Sequence, residues 1–149
     1  GALKSFLDEQ GMPLNHIKPH GSLYVMAAKD ENMAHAIADA VETFNVSIFG
    51  MANTCHEKVY KEERGLDFIS EFYADLDYDE NGKLVIAKGK NATYDSKIAT
   101  DRVLRAVLEK KVTNTVGKDI DVGCDTICVH SDTPNAVEII TSIKSAINK

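Results

Sequence analysis

Four short stretches of the chain hold residue types that can do chemistry. The first, Ile17-Lys18-Pro19-His20-Gly21, sets a cation and an imidazole on either side of a proline. A structural turn would use the proline and glycine but has no need of the lysine and histidine. The others bring Met51 and Asn53, then Glu71, Tyr73 and Asp75, then His130, Ser131 and Asp132. A lysine can meet anionic or phosphoryl charge, an imidazole or carboxylate can take a proton from water, and amide or hydroxyl donors can meet a developing oxyanion. Gly21 gives the backbone room to turn or to approach a ligand closely.

The elements that must position these groups follow from periodicity. "LNHIKPH" reads as a short β run. "SLYVMAAKDENMAHAIADAVETF" has helical spacing, with Asp30 as N-cap of its main part. "VSIFGM" is a continuous apolar run of the kind buried on both faces of a parallel sheet. "NTCHEKVYKEERG" reads as a short polar helix capped by Asn53 or Thr54 and closed by Gly65, and "LDFISEFYA" as a third strand. From Asp75 to Asn91 an Asn-Gly turn between β-prone pieces makes a hairpin-like excursion, read as a loop over the site. Asp95 caps a helix over "SKIATDRVLRAVLEKK", and "VTNTVGKDIDVG" forms a small hairpin about Gly117-Lys118. "DTICVHSD" is a fourth core strand. The closing helix has Thr133 as cap, Pro134 at its first position and Val137, Ile140, Ile143 and Ile147 inward.

The order β-α-β-α-β-excursion-α-β-α predicts one α/β domain over residues 1–149, with parallel strands and outer helices. In such folds the loops at the carboxyl ends of the strands converge, and those ends are where the four polar stretches fall. Four parallel strands cannot close a barrel, so an N-terminal barrel half or self-association is expected to cover the edges.

With 17 Lys and Arg scattered among 23 Asp and Glu, nothing suggests a nucleic-acid partner. No apolar run approaches the roughly 20 residues that span a bilayer, so no membrane partner and a cytoplasmic address are expected. Three cysteines, Cys55, Cys124 and Cys128, point to reduced, buried or half-buried thiols rather than a zinc site. His16, His35 and His56 read as ordinary surface positions.

"IKPHGSLY", "EFYADLDYDENGKL" and "DTICVHSDTPNAV", in this order and spacing, resemble the LamB/YcsF family of lactam-utilisation proteins, whose members are also called the A-type subunit of 5-oxoprolinase. The resemblance covers the whole chain, as the C-terminal portion of the family. It departs at Val25, Leu76 and Ser131, where the family usually has Asn, Arg and Gly. It implies a partial, irregular TIM-like barrel of the glycoside hydrolase/deacetylase type. It also implies ATP-dependent opening of 5-oxoproline to glutamate together with further subunits.

A lactam is a poor electrophile, and phosphorylating its oxygen with ATP would activate it. For that reaction Lys18 is the candidate for phosphoryl charge, His20 or His130 for the base, and Asp132 for orienting a histidine or a metal-bound water. Glu71 is a second base or an anchor for the amide N–H. Gly21, Tyr24, Asn53, Tyr73 and Asp75 are the expected substrate contacts. No Walker-type loop occurs, so ATP is expected to bind by another geometry or on one of the partner chains, and a divalent metal stays open. A metal-dependent amide hydrolase or deacetylase, and a non-catalytic chain that completes another's barrel, are the competing readings.

Overall fold

The computed structural model describes residues 1–86 and 94–148. The described chain falls into two compact units, residues 1–50 with 54–69, and residues 51–53 with 70–149. The last part of the expected excursion, residues 87–91, lies outside the described residues.

In the first unit, α1 (Ala2–Glu9) buries none of its residues. The short β1 (His16–Ile17) pairs in parallel with β2 (Ser47–Gly50), Ile17 opposite Ile48. The long helical stretch of sequence is two helices, α2 (Ser22–Ala27) and α3 (Glu31–Glu42). The break falls at Asp30, whose extended backbone (φ −130°) ends one helix and whose carboxylate accepts the Met33 N–H at 3.1 Å to start the next. Gly21 precedes α2 at φ +62°, with nothing within 4 Å of where a Cβ would stand. Its glycine is thus required by backbone conformation and not by crowding.

The expected polar helix is a π-helix, Glu57–Glu63, preceded by a hydrogen bond from the His56 N–H to Thr54 Oγ1. Its widened turns show in the bond from Arg64 N–H to the Val59 carbonyl, 3.0 Å. Val59 and Tyr60 are wholly buried and join Ala34, Ala38, Val41 and Ile48 in the core of this unit. His56 is wholly buried too, which corrects the surface position expected for it. Burial lowers its imidazole to about 4, although a hydrogen bond to the Tyr24 backbone pulls the other way.

That shift has a sign. Between the unfolded value of 6.5 and about 4 the unfolded chain takes up a proton that the folded chain refuses. Stability is therefore full above pH 6.5 and falls as the pH drops through that window, by about 3 kcal/mol between pH 7 and 4 at about 1.4 kcal/mol per pH unit. Urea midpoints measured across this range should fall in the wild type and show a flatter slope in His56→Phe.

The second unit continues β3 (Phe68–Tyr73), which pairs in parallel with β8 (Thr126–Cys128): Glu71 faces Thr126 and Tyr73 faces Cys128. The hairpin of β4 (Asp77–Tyr78) and β5 (Leu84–Val85) turns through Gly82 at φ +73°. There Asp79 accepts the N–H groups of Asn81 and Lys83. The helix α4 (Ser96–Glu109) is capped by Asp95, which accepts the Ile98 N–H at 2.8 Å. A second hairpin, β6 (Lys111–Thr113) with β7 (Asp119–Asp121), turns at the expected Gly117-Lys118.

The closing helix α5 (Ala136–Ile147) packs on α4, joined by the hydroxyls of Thr100 and Ser142 at 2.8 Å. It buries Ala136, Ile139 and Ile143. Val137, Ile140 and Ile147, expected inward, are 79%, 50% and 46% exposed. The helix carries two adjoining apolar stripes that meet at Ile143, which is buried as expected, and burial takes Ala136 and Ile139 with it in place of the other three. Thr133 is not its cap: its hydroxyl donates to Asp75.

Candidate functional site

Parallel pairing of β3 with β8 brings the ends of two sequence motifs side by side, and most of the expected site residues of the second unit meet there. Asp75, 3% exposed, is the hub. Its Oδ2 accepts the His130 backbone N–H at 2.8 Å and the Thr133 hydroxyl at 2.9 Å, and its Oδ1 pairs with His130 Nδ1 at 3.0 Å. Burial alone would push the Asp75 carboxyl up. The bonds from His130 and Thr133 outweigh it and hold the group below the usual carboxylate range. An ionised Asp75 accepts from Nδ1–H, so the lone pair of the ring belongs to Nε2, the arrangement of a general base held by a carboxylate.

Tyr73 extends the line. Its ring stacks on that of His130 with centroids 5.6 Å apart, and its hydroxyl donates to Glu71 Oε2 at 2.9 Å. Its own N–H donates to the Tyr78 hydroxyl, also at 2.9 Å. Glu71 and Tyr73 are 5% and 4% exposed, so this is a nearly dry polar line with His130 half-exposed at its end.

Glu71 also lines a cavity of about 320 Å³ in the same unit, with Asn53, Tyr78, Asn81 and Asp121 among its walls. Asn53 stands at φ +59°, a conformation that costs energy in a non-glycine residue, and its amide donates to the Asp121 carbonyl at 3.1 Å. Gly123 forms another part of the wall; a Cβ there would come within 2.7 Å of Ala52 Cβ and Ser70 Cβ. Gly123→Ala should accordingly cost about 1–3 kcal/mol through overpacking. Thermal melting checks this, an unchanged midpoint being the contrary result.

Among the expected residues, Asp132 is exposed, and the carboxylate that holds a histidine is Asp75 in its stead. In the first unit, Lys18 Nζ lies 5.6 Å from the centre of the buried Tyr24 ring, while His20 is exposed. Three features had escaped the sequence reading. His56 is buried in the first unit and Tyr78 in the second, and Ser70 donates from both its N–H and its hydroxyl to Asp125 Oδ2. Only the last had a visible signal, an acid lying between Cys124 and Thr126 at the start of a strand.

Parallel strands under helices, with carboxylate, phenol and imidazole gathered at strand ends, place the chain among α/β proteins whose strand ends carry the chemistry. Within that class it belongs to the LamB/YcsF family, whose model matches residues 1–149. It is 43% identical to a Staphylococcus haemolyticus protein named as the A-type subunit of 5-oxoprolinase, over all of this chain and 60% of that protein. It is 36% identical to a Pseudomonas aeruginosa protein of the same name, the copy numbered 1, over 99% of this chain and 58% of that one. The fold matches the crystal structure of a lactam utilization protein from Thermus thermophilus with a TM-score of 0.83 and 35% identity, covering 99% of this chain and 60% of that chain. The expected α/β class with parallel strands and outer helices is thus the fold observed. The chain spans about 60% of the length of these relatives. Among the described residues no helix is long and apolar enough to cross a membrane.

Proposed function

We propose that this chain is part of an A-type subunit of 5-oxoprolinase and takes part, with the other subunits of that enzyme, in opening 5-oxoproline to glutamate. The observation that carries the reading is His130 held by buried Asp75, in a chain 43% identical to a protein of that name. The lactam amide is stabilised by resonance, and its carbon accepts water only once its oxygen is activated. ATP supplies that activation as phosphoryl donor, leaving as ADP; one water then adds to the carbon as the C–N bond breaks, and a second releases phosphate from the acyl phosphate to give glutamate. His130 is assigned as the base that takes the proton of the attacking water through Nε2, with Asp75 fixing the ring. Glu71, tied to the Tyr73 hydroxyl, is assigned to the lactam N–H.

The cavity beside Glu71 does not fit nucleotide phosphates: among the described residues its lining carries the carboxylates of Glu71, Glu80 and Asp121 and no lysine, arginine or histidine. Nucleotide is therefore assigned outside this cavity, and Lys18, with His20 nearby in sequence, to phosphoryl charge. Asp132 keeps no assigned role beyond the exposed surface after His130.

The test is glutamate formation from 5-oxoproline and ATP by the assembled enzyme, this chain being supplied with the remaining length of its relatives and with the other subunits. His130→Ala should abolish turnover without loss of folded structure. An assembled wild-type enzyme that leaves 5-oxoproline intact would overturn the reading.

A further inference from the structure

A second line of polar and aromatic groups runs through the first unit, and the reaction above uses only its outer end. Lys18 Nζ stands 5.6 Å from the Tyr24 ring centre, within cation–π reach. The Tyr24 ring meets the His56 ring edge-on at 4.6 Å, and His56 stacks on Tyr60 at 5.2 Å with the planes 13° apart. His56 and Tyr60 are wholly buried and Tyr24 is 3% exposed. Gly50 admits the imidazole, since a Cβ there would lie 2.8 Å from His56 Cβ.

The core cluster that includes Tyr60 also holds Ala34, Ala38, Val41, Ile48 and Val59. In such surroundings leucine would fill the volume without removing two ring nitrogens from water. A flat ring there, edge-on to Tyr24 and stacked on Tyr60, holds the orientation of its neighbours, which a branched aliphatic chain would not. The π-helix that begins directly after His56 is an independent sign, because such widened turns gather at functional sites.

We propose that His56 is a positioning residue for Lys18: its ring fixes the Tyr24 ring, and the Tyr24 face in turn fixes the ammonium set against phosphoryl charge. This rests on the role given to Lys18 above. It also changes the part of Tyr24, from a substrate contact to the platform under a cation.

The test reads the Lys18 amine directly. Reductive methylation with ¹³C keeps the charge of a lysine, and the Lys18 methyl resonance is assigned by its absence in Lys18→Arg. Over a tyrosine face it should be displaced from those of exposed lysines. His56→Phe keeps a ring in place and should retain the displacement. His56→Leu should lose it, as should Tyr24→Leu. In the assembled enzyme His56→Leu should lower kcat/KM for 5-oxoproline by roughly 10- to 100-fold, with His56→Phe near wild type.

A folded His56→Leu chain whose Lys18 resonance stays where it was would overturn the proposal. Loss of the displacement in His56→Phe would do the same, and that variant decides the matter if the leucine variant does not fold. The resonance is read on this chain alone, so a failure of 5-oxoproline turnover sinks the proposed function and leaves this result standing.

Discussion

Asp75→Asn should lower turnover by about 10³–10⁴ while leaving the protein folded. The reason lies in the asymmetry of the three bonds at this carboxylate. Oδ2 accepts a backbone N–H, from His130, and backbone N–H cannot reverse its role. An asparagine at position 75 must therefore keep its carbonyl oxygen there and turn its NH₂ toward His130 Nδ1. Two donors cannot face each other, so the imidazole gives up the Nδ1 proton and carries it on Nε2 instead. The ring stays in place with its lone pair on the wrong nitrogen, and a base becomes a donor. Stability should fall by only about 1–2 kcal/mol, the difference between a charged and a neutral acceptor. ¹⁵N spectra of the imidazole would show the change of tautomer, and unchanged turnover in Asp75→Asn would remove His130 from the role of base. Asp75→Ala is the contrasting variant: it strips three bonds from a buried site and should cost about 3–5 kcal/mol, so that lost activity there reports unfolding as well. The pH dependence agrees in sign. With its folded value below the ordinary carboxylate range, Asp75 contributes stability that is present above that range and is lost as pH falls through its folded value.

What the sequence made legible were features decided by neighbours within four residues. Asp30 and Asp95 cap helices because each accepts an N–H three residues on, and both read directly as caps. The Asn81-Gly82 turn and the hairpin at Gly117 follow from the same local chemistry, through positive φ at their glycines. The motif residues Glu71, Tyr73, Asp75 and His130 were found by type and by position at strand ends. Their wiring was not: Asp75 and His130 are 55 residues apart, and only the parallel register of β3 with β8 sets the pair together. Asp132, two residues from His130, was the nearer carboxylate in sequence and the wrong one in space. His56 was hidden for another reason. It stands in the polar run "CHEKVY", and its burial depends on the π-helix that follows, whose widened turns have no counterpart in the 3.6-residue period used to read helices. Hairpin turns and helix caps are settled locally by the backbone, whereas the histidine's environment is set by Gly50 and by Tyr24, neither of which a local pattern connects to it.

The closing helix shows the same limit with larger energetic consequences. Ile139→Asp should unfold the protein or lower its melting temperature beyond the working range, and Ile140→Asp should be tolerated. The two positions adjoin in sequence and are chemically identical, so hydrophobicity cannot separate them. Ile139 is wholly buried on the side of α5 that packs on α4, whereas Ile140 is 50% exposed beside Ile127 and Val129. A carboxylate at 139 must either stay ionised without water or take up a proton against its normal pKa, and it also forfeits the burial of an isoleucine. Together these cost at least about 4–5 kcal/mol. A domain of this size is held by only about 5–15 kcal/mol, so one such substitution removes most of the margin. At 140 the carboxylate keeps its hydration, and the expected change is within about 1 kcal/mol. Circular dichroism melts of the two variants, run side by side at neutral pH, decide between the stripes. Equal melting would mean that Ile139 is not the buried member of the pair. Unfolding by Ile140→Asp alone would restore the inward face that periodicity favoured.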